Sequence, residues 1–394
     1  MFQNTRGRNA VAALVVARIV YAINWLNVGA VFFIIAPDLD AGVSGLGLLS
    51  ASFFLGVGLS QVPGGILAAR WGPKKVVTVG IMTSSLSCLA SAGGVTLEQL
   101  TVLRFLVGVG MALVFSPAVV LVARLLKGRQ TGTGVGLFNS AFNIGGLFGL
   151  FGWIVIATAT GWRFSLALSG LLGVVTAGLV MVFVPPDEVR EGFRPAREHV
   201  LAIIKDRQLV QLGLGTMGIG VGTIMVSSFM VYYLVNEAGV GGMAAGLVAS
   251  LIVVVPIGSA LWAGRFYDGH REPRRLMLYS LFGMGGSIAL LAFEPGIIPA
   301  AFAAVGGGVA SGLGFTVSFA AAKELNRTPS EYDGLAVAWV NSVSLTGSFW
   351  PPVLFSYLVG ASGYPAAWFG SAAICLSMAL PVYWVRKGVP ATVE

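Results

Sequence analysis

Two arginines, Arg18 and Arg104, interrupt long apolar runs. A guanidinium keeps its charge at any physiological pH, so each is a fixed cation. In apolar surroundings such a charge must face the protein interior, a backbone carbonyl or an anion. Arg104 falls ~8 Å inside the outer end of its run, counting ~1.5 Å per residue from Gln99. It is either a structural residue bonded to backbone or a direct contact for an anion. Arg18 lies about two helical turns into the first run. It is expected to snorkel to the interface along its apolar stem, with a place in a cavity on that side as the alternative.

Embedded amides form the second group. Asn24 and Asn27 are spaced i, i+3, and Asn139 and Asn143 are spaced i, i+4, so each pair lines one helical face. Asn341 stands alone. Such amides serve as interhelical glue, worth about 0.6 kcal/mol each in a membrane, or line a cavity. Trp350 and Tyr232 (with Tyr233 beside it) could shape a pocket, although aromatics near helix ends more often anchor at an interface. None of the sixteen acidic residues falls inside an apolar run. A proton-linked carrier would then move its proton on the substrate or use a group at a cavity edge, such as Asp38. Without a proton, uniport or exchange is left.

Several chemistries drop out. Cys88 and Cys375 lie in distant apolar runs, and the two histidines, His199 and His270, sit in polar segments, so no metal or disulfide is expected. Gly128-Arg129-Gln130-Thr131-Gly132-Thr133-Gly134 lacks the Gly-Lys-Ser/Thr of a phosphate loop. Asn326-Arg327-Thr328 has a glycosylation pattern but falls on the expected cytoplasmic side, where it is silent. No nucleophile–base set is embedded, so an enzyme is not expected, and no cofactor is implied.

The elements that must hold these residues are set by composition. Of 394 residues, 56% are hydrophobic and 10% are charged, against roughly 25% charged in a soluble domain. Mean hydropathy is +0.86. Lipid, rather than a polar shell, must therefore cover most of the surface. The first run, reaching about Pro37, is too long for a signal-peptide core and is expected to span. Runs of about 20 apolar residues cross the ~30 Å hydrocarbon core as helices. Twelve are expected, at 11–36, 44–68, 75–94, 99–123, 133–158, 163–184, 208–234, 243–266, 275–293, 297–322, 333–358 and 364–385. Residues 185–207 are strongly charged and separate spans six and seven. The expected organisation is a bundle of six helices over 1–184, a cytoplasmic linker over 185–207 and a second bundle over 208–394.

Charge sets the orientation. Of the 24 Lys and Arg residues, 21 lie in loops or termini on one side, leaving only Arg18, Arg104 and Arg163. Asp38, Asp40, Glu98, Glu237 and Glu294 lie on the other side. By the positive-inside rule both termini are cytoplasmic. The basic surplus does not indicate nucleic acid, because it is dispersed between spans rather than gathered on one face.

The two halves repeat. Asn139-Ser140 with Gly145 returns as Asn341-Ser342 with Gly347, Gly108-Val109-Gly110 as Gly306-Gly307-Gly308, and Gly65 as Gly264. Three matches at nearly one offset, in corresponding spans, indicate a duplicated six-helix unit.

The segment Gly65-Ile66-Leu67-Ala68-Ala69-Arg70-Trp71-Gly72-Pro73-Lys74-Lys75 resembles the loop signature of the major facilitator superfamily. Gly264-Arg265-Phe266-Tyr267-Asp268 with Arg274-Arg275 looks like its second copy. Arg104 with Gly108 and Gly110, and Gly161-Trp162-Arg163, are also similar to family patterns. The resemblance implies an all-α membrane protein of twelve transmembrane helices in two pseudo-symmetric bundles. It implies alternating-access transport of a small solute across the inner (plasma) membrane, with Gly65, Arg70, Gly72, Lys74, Gly264, Asp268 and Arg274 in the gating loops. Ala69 replaces the family's Asp, which the resemblance implies clamps the facing helix end and favours the outward-open state, so Asp268 alone could make such a contact. The Gly-Pro signature of drug/proton antiporters is missing at Asn143-Ile144-Gly145-Gly146. The faces of spans five and eleven loosely resemble nitrate/nitrite carriers, but span two lacks their arginine.

With two embedded cations and no embedded acid, the expected substrate is a small anion, such as an organic carboxylate. Arg104, Arg18, Asn24, Asn27, Asn139, Asn143, Asn341, Tyr232 and Trp350 are the candidate contacts. Efflux of amphipathic drugs or neutral metabolites is the rival, and a flux-free sensor a more distant one. The expected partners are the substrate, a coupling proton or ion and the bilayer, with the chain monomeric.

Overall fold

The computed structural model describes residues 5–125, 130–186, 197–270, 272–329 and 332–386. Lys127, Arg129, Arg271, Lys387 and the linker charges from Asp187 to Arg194 lie outside them, as does the start of the Gly128–Gly134 segment.

The chain forms two compact units, Met1–Arg194 and Pro195–Glu394. In the first, the helices are α1 (Thr5–Ala30), α2 (Phe32–Asp38), α3 (Val43–Trp71), α4 (Pro73–Ser91), α5 (Leu97–Ala112), α6 (Phe115–Leu125), α7 (Gln130–Leu147), a π-helical turn (Phe148–Gly152), α8 (Trp153–Thr160) and α9 (Trp162–Phe183). In the second they are α10 (Arg197–Lys205), α11 (Arg207–Asn236), α12 (Gly242–His270), α13 (Pro273–Leu290), α14 (Ile297–Leu325), α15 (Asp333–Gly347), α16 (Pro351–Ser377) and α17 (Ala379–Tyr383).

Among the described residues, nine helical stretches are long and apolar enough to cross a membrane. One of them, Asp333–Tyr383, runs 51 residues. It bends at Gly363, whose φ of 82° is a left-handed value that only glycine adopts without strain, and so it holds two spans. Gly161, with φ 86°, makes the matching corner between spans five and six. The remaining two spans are α4 and α13. They are short, α4 with four serines and α13 with two, and at 19 and 18 residues they still measure roughly 27–28 Å. The total is the twelve expected from the apolar runs.

Each unit pairs its helices in the same way. In the first, α3 packs on α5, α4 on α9, and α1 on α7; in the second, α12 packs on α14, α13 on α16, and α11 on α15. The α3–α5 seam depends on Gly56 and Gly108. A Cβ on either would sit 2.3 Å or 2.2 Å from a carbonyl oxygen of the facing helix. Small residues are what let membrane helices approach this closely.

The spans are less regular than hydropathy suggests. Span one breaks at Val31, span four at Leu113–Val114, and span five contains the π turn. Span eleven breaks at Ser348, ahead of Pro351 and Pro352, which lack the N–H donors that would continue a helix, and resumes as the first part of α16. The segment read as a linker also contains α10, which buries Ile203 and packs on α11 and α15.

Candidate anion site

The first-unit site is built from α1. Its spacing puts Arg18, Tyr21 and Trp25 on one face and Asn24 and Asn27 on the adjoining one. All four polar groups are buried: Arg18 is 7%, Asn24 1%, Asn27 0% and Arg104 of α5 4% exposed.

The Asn face knits four helices together. Asn24 Oδ1 accepts from Asn27 Nδ2 at 3.4 Å and from Cys88 Sγ of α4 at 3.5 Å. Asn27 Nδ2 also donates to Ser169 Oγ of α9 at 3.1 Å. Arg104 Nη1 donates to the Asn24 carbonyl at 3.2 Å, and its guanidinium lies 4.5 Å from the Phe53 ring centroid. α5 is capped at its start, where Thr96 Oγ1 accepts from Gln99 N and Gln99 Oε1 accepts from Val95 N. For Arg104 this is the geometry of the structural reading, a guanidinium bonded to backbone.

Arg18 is arranged differently. Its guanidinium carbon lies 4.5 Å from the Tyr21 ring centroid, 4.6 Å from Phe115, 4.6 Å from Phe142 and 5.3 Å from Phe138. Snorkelling, expected from the sequence, is not observed. Arg18 is buried, and its guanidinium is enclosed by rings of α1, α6 and α7. Aromatic rings attract the guanidinium's charge but offer its N–H groups no oxygen or nitrogen acceptor. Arg18 Nε and Nη1, both buried, have no hydrogen-bond acceptor in the protein. A buried cation without an acceptor is costly, and an anion would remove that cost.

The rings form one connected group. Trp25 lies 5.6 Å from Tyr21, 6.2 Å from Phe142, 4.8 Å from Phe53 and 5.7 Å from Phe54. Through Phe53 the group reaches Arg104. Sequence reasoning missed these rings, although the Arg18–Tyr21–Trp25 and Phe138–Phe142 spacings were visible signals.

The other candidate contacts scatter. Asn139 is exposed on α7 and Asn143 half-buried, one position around the helix from Phe138 and Phe142. In the second unit Asn341 and Tyr232 are half-buried, and Trp350 is exposed at the break in span eleven. Tyr233 is buried, donating to the Leu291 carbonyl at 2.9 Å beneath Tyr364 and Trp368.

The signature loops show a repeated device. Lys74 Nζ donates to the Met181 and Val184 carbonyls, at 2.9 and 2.5 Å, and so caps the C-terminus of α9. Arg274, the residue 200 positions later, lies 4.0 Å over Tyr383 at the end of α17. Each ties the start of a unit's third span to the end of its sixth. Gly72 has φ 91° at the corner before α4. Arg70 and Asp268 are exposed, Gly65 has open space around it, and Gly264 is half-buried.

Asp38, the candidate coupling group, is engaged at its own end of the first unit. It accepts from Arg163 Nη1 and from Trp162 Nε1, the latter at 3.0 Å. The Arg163 hydrogen bond, followed by that of Trp162, holds its carboxyl below the usual range.

Comparison with known proteins agrees with this architecture. Over 92% of its length the chain is 24% identical to 90% of the nitrite extrusion protein of Bacillus subtilis. It is 24% identical over 274 residues to the probable galactarate/D-glucarate transporter GarP of Escherichia coli K12, covering 60% of that protein. Against the uncharacterized MFS-type transporter YybF of B. subtilis, identity is 23% and the chain spans 58% of the relative's length. In three dimensions it superposes on a bacterial homologue of the human lysosomal transporter Spinster (inward-facing, unoccupied) with TM-score 0.82 and 15% identity, covering 99% of this chain and all of that one. A D-xylose–proton symporter gives 0.80 and 14%, covering 98% and 99%. The family model of the Major Facilitator Superfamily matches residues 14–268, well over half of the sequence. The chain therefore belongs to the Major Facilitator Superfamily.

Proposed function

We propose that this transporter moves a small organic anion by alternating access, and that Arg18 rather than Arg104 grips it. The observation that carries this reading is the buried Arg18 guanidinium with two donors unmatched. Arg104 donates from Nη1 to the Asn24 carbonyl and has Nε unmatched, whereas Arg18, beside the Tyr21 hydroxyl, has both Nε and Nη1 unmatched. No Asp or Glu lies mid-span among the described residues to neutralise either charge. Relatives named for nitrite, an inorganic anion, and for galactarate/D-glucarate, organic ones, support an anionic substrate. Nitrite itself is not singled out, because the basic residue of α3, Arg70, stands in its last turn.

The rival reading, export of neutral apolar compounds, draws on the same aromatic rings and would not need the charge. Counterflow of radiolabelled benzoate in proteoliposomes tests for flux and separates a carrier from a flux-free sensor. Arg18→Lys keeps the charge but loses the planar fork, and Arg18→Gln loses both. Uptake should fall at least roughly tenfold in the first and further in the second, a tenfold change being about 1.4 kcal/mol. Undiminished benzoate counterflow in a folded Arg18→Gln protein would refute the anion reading.

A further inference from the structure

We infer that the anion is carried on an aromatic or similarly flat apolar body, so that the substrate class is an aryl carboxylate rather than an inorganic anion or a polyhydroxy acid. The inference rests on the anion reading of Arg18 and adds what the surrounding rings select. Seven rings, those of Tyr21, Trp25, Phe53, Phe54, Phe115, Phe138 and Phe142, join through Arg18 and Trp25 into one surface. Four of them are buried within the unit, whereas Trp25, Phe115 and Phe142 stay half-open. Two of these half-open rings flank Arg18 directly, and Trp25 touches the third partner, Tyr21.

The chemistry of that surface discriminates. Its polar atoms are the Tyr21 hydroxyl and the Trp25 indole N–H, too few to replace the water stripped from a polyhydroxy acid. Each stranded hydroxyl would count against binding. The nearby amides do not line it, since Asn24 and Asn27 are buried on the adjoining face of α1, among Cys88, Ser169 and Arg104. A bare inorganic anion would satisfy the guanidinium edge yet leave the open ring faces uncovered. An aryl carboxylate does both, by pairing with the Arg18 donors and stacking offset or edge-on against Trp25 or Phe142.

The test uses the full chain in detergent and four probes: benzoate, acetate, galactarate and benzyl alcohol. Affinities are read by thermal shift and by equilibrium binding. Benzoate should bind at least roughly tenfold tighter than acetate or galactarate, and Trp25→Leu or Phe142→Leu should bring it down toward the acetate level. These leucines keep the site apolar and filled, and the melting temperature of each variant checks its fold. If acetate or galactarate matches benzoate and each is lost in Arg18→Gln, the aromatic inference fails while the anion reading stands. If benzyl alcohol matches benzoate and neither needs Arg18, the anion reading fails, and this inference with it.

Discussion

At the residue scale, the two arginines that look alike in sequence have different environments. Arg104 donates to a carbonyl of the neighbouring helix within a fully buried amide cluster. A lysine there could not donate in the same plane or lie flat on Phe53. Arg104→Lys should therefore lower stability by about 1.5–3 kcal/mol, the range for a buried hydrogen bond to a charged group, with benzoate affinity unchanged in the protein that survives. Calorimetry and binding on one purified sample decide it. An intact melting temperature with lost affinity would return Arg104 to the anion. The presence of both charges was legible from sequence, because Arg stands out in an apolar run. The role of Arg18 was not, since its surroundings depend on rings from α6 and α7. Those rings are about 100 residues or more away in sequence, and hydropathy carries no information about which faces meet.

At the element scale, the long spans could be read from the sequence, whereas the corner at Gly363 and the breaks inside the spans were not. A hydropathy window treats Phe148–Gly152 as ordinary apolar helix, and only hydrogen bonding reveals the π turn. The break in span eleven was missed as well, although the Pro351-Pro352 pair was a visible signal for it. Asp38 shows how a loop residue changes meaning once its element is placed. Read alone it was a candidate for carrying a proton; seen with Arg163 and Trp162 it is a clamp between α2 and α9. Its folded pKa is depressed, so its stabilising contribution is complete above the ordinary carboxylate pKa of about 3.9. That contribution disappears only as pH falls through the still lower folded value. Both partners are about two-fifths exposed, which limits the pair to less than about 1 kcal/mol. Asp38→Asn should accordingly lower the melting temperature slightly and by a constant amount from pH 5 to 8, leaving the pH profile of benzoate counterflow in shape. A transport transition within that range that disappears in Asp38→Asn would make Asp38 the coupling group after all.

At the scale of the whole molecule, the duplication was legible because it rests on paired positions at one offset, and the two units do share their helix pairings and their Lys74 and Arg274 devices. Orientation is a separate question, and it rests on the 21 cations of one side against three exceptions. The structure gives each exception a reason. Arg18 and Arg104 are buried within helices and so are not loop charges, and Arg163 is paired with Asp38. With these accounted for, no unpaired basic residue among the described ones opposes the positive-inside assignment, under which both termini and residues 185–207 are cytoplasmic. Single cysteines at 195 and at Glu294 make the test, in intact cells with a membrane-impermeant maleimide. The native Cys88 and Cys375 are buried and should stay silent, and a Cys88→Ser, Cys375→Ser background removes them as a concern. The cysteine at 294 should label in intact cells and the one at 195 only after permeabilisation. The reverse pattern would invert the topology of all twelve spans at once, because an even number of crossings binds the two termini to one side.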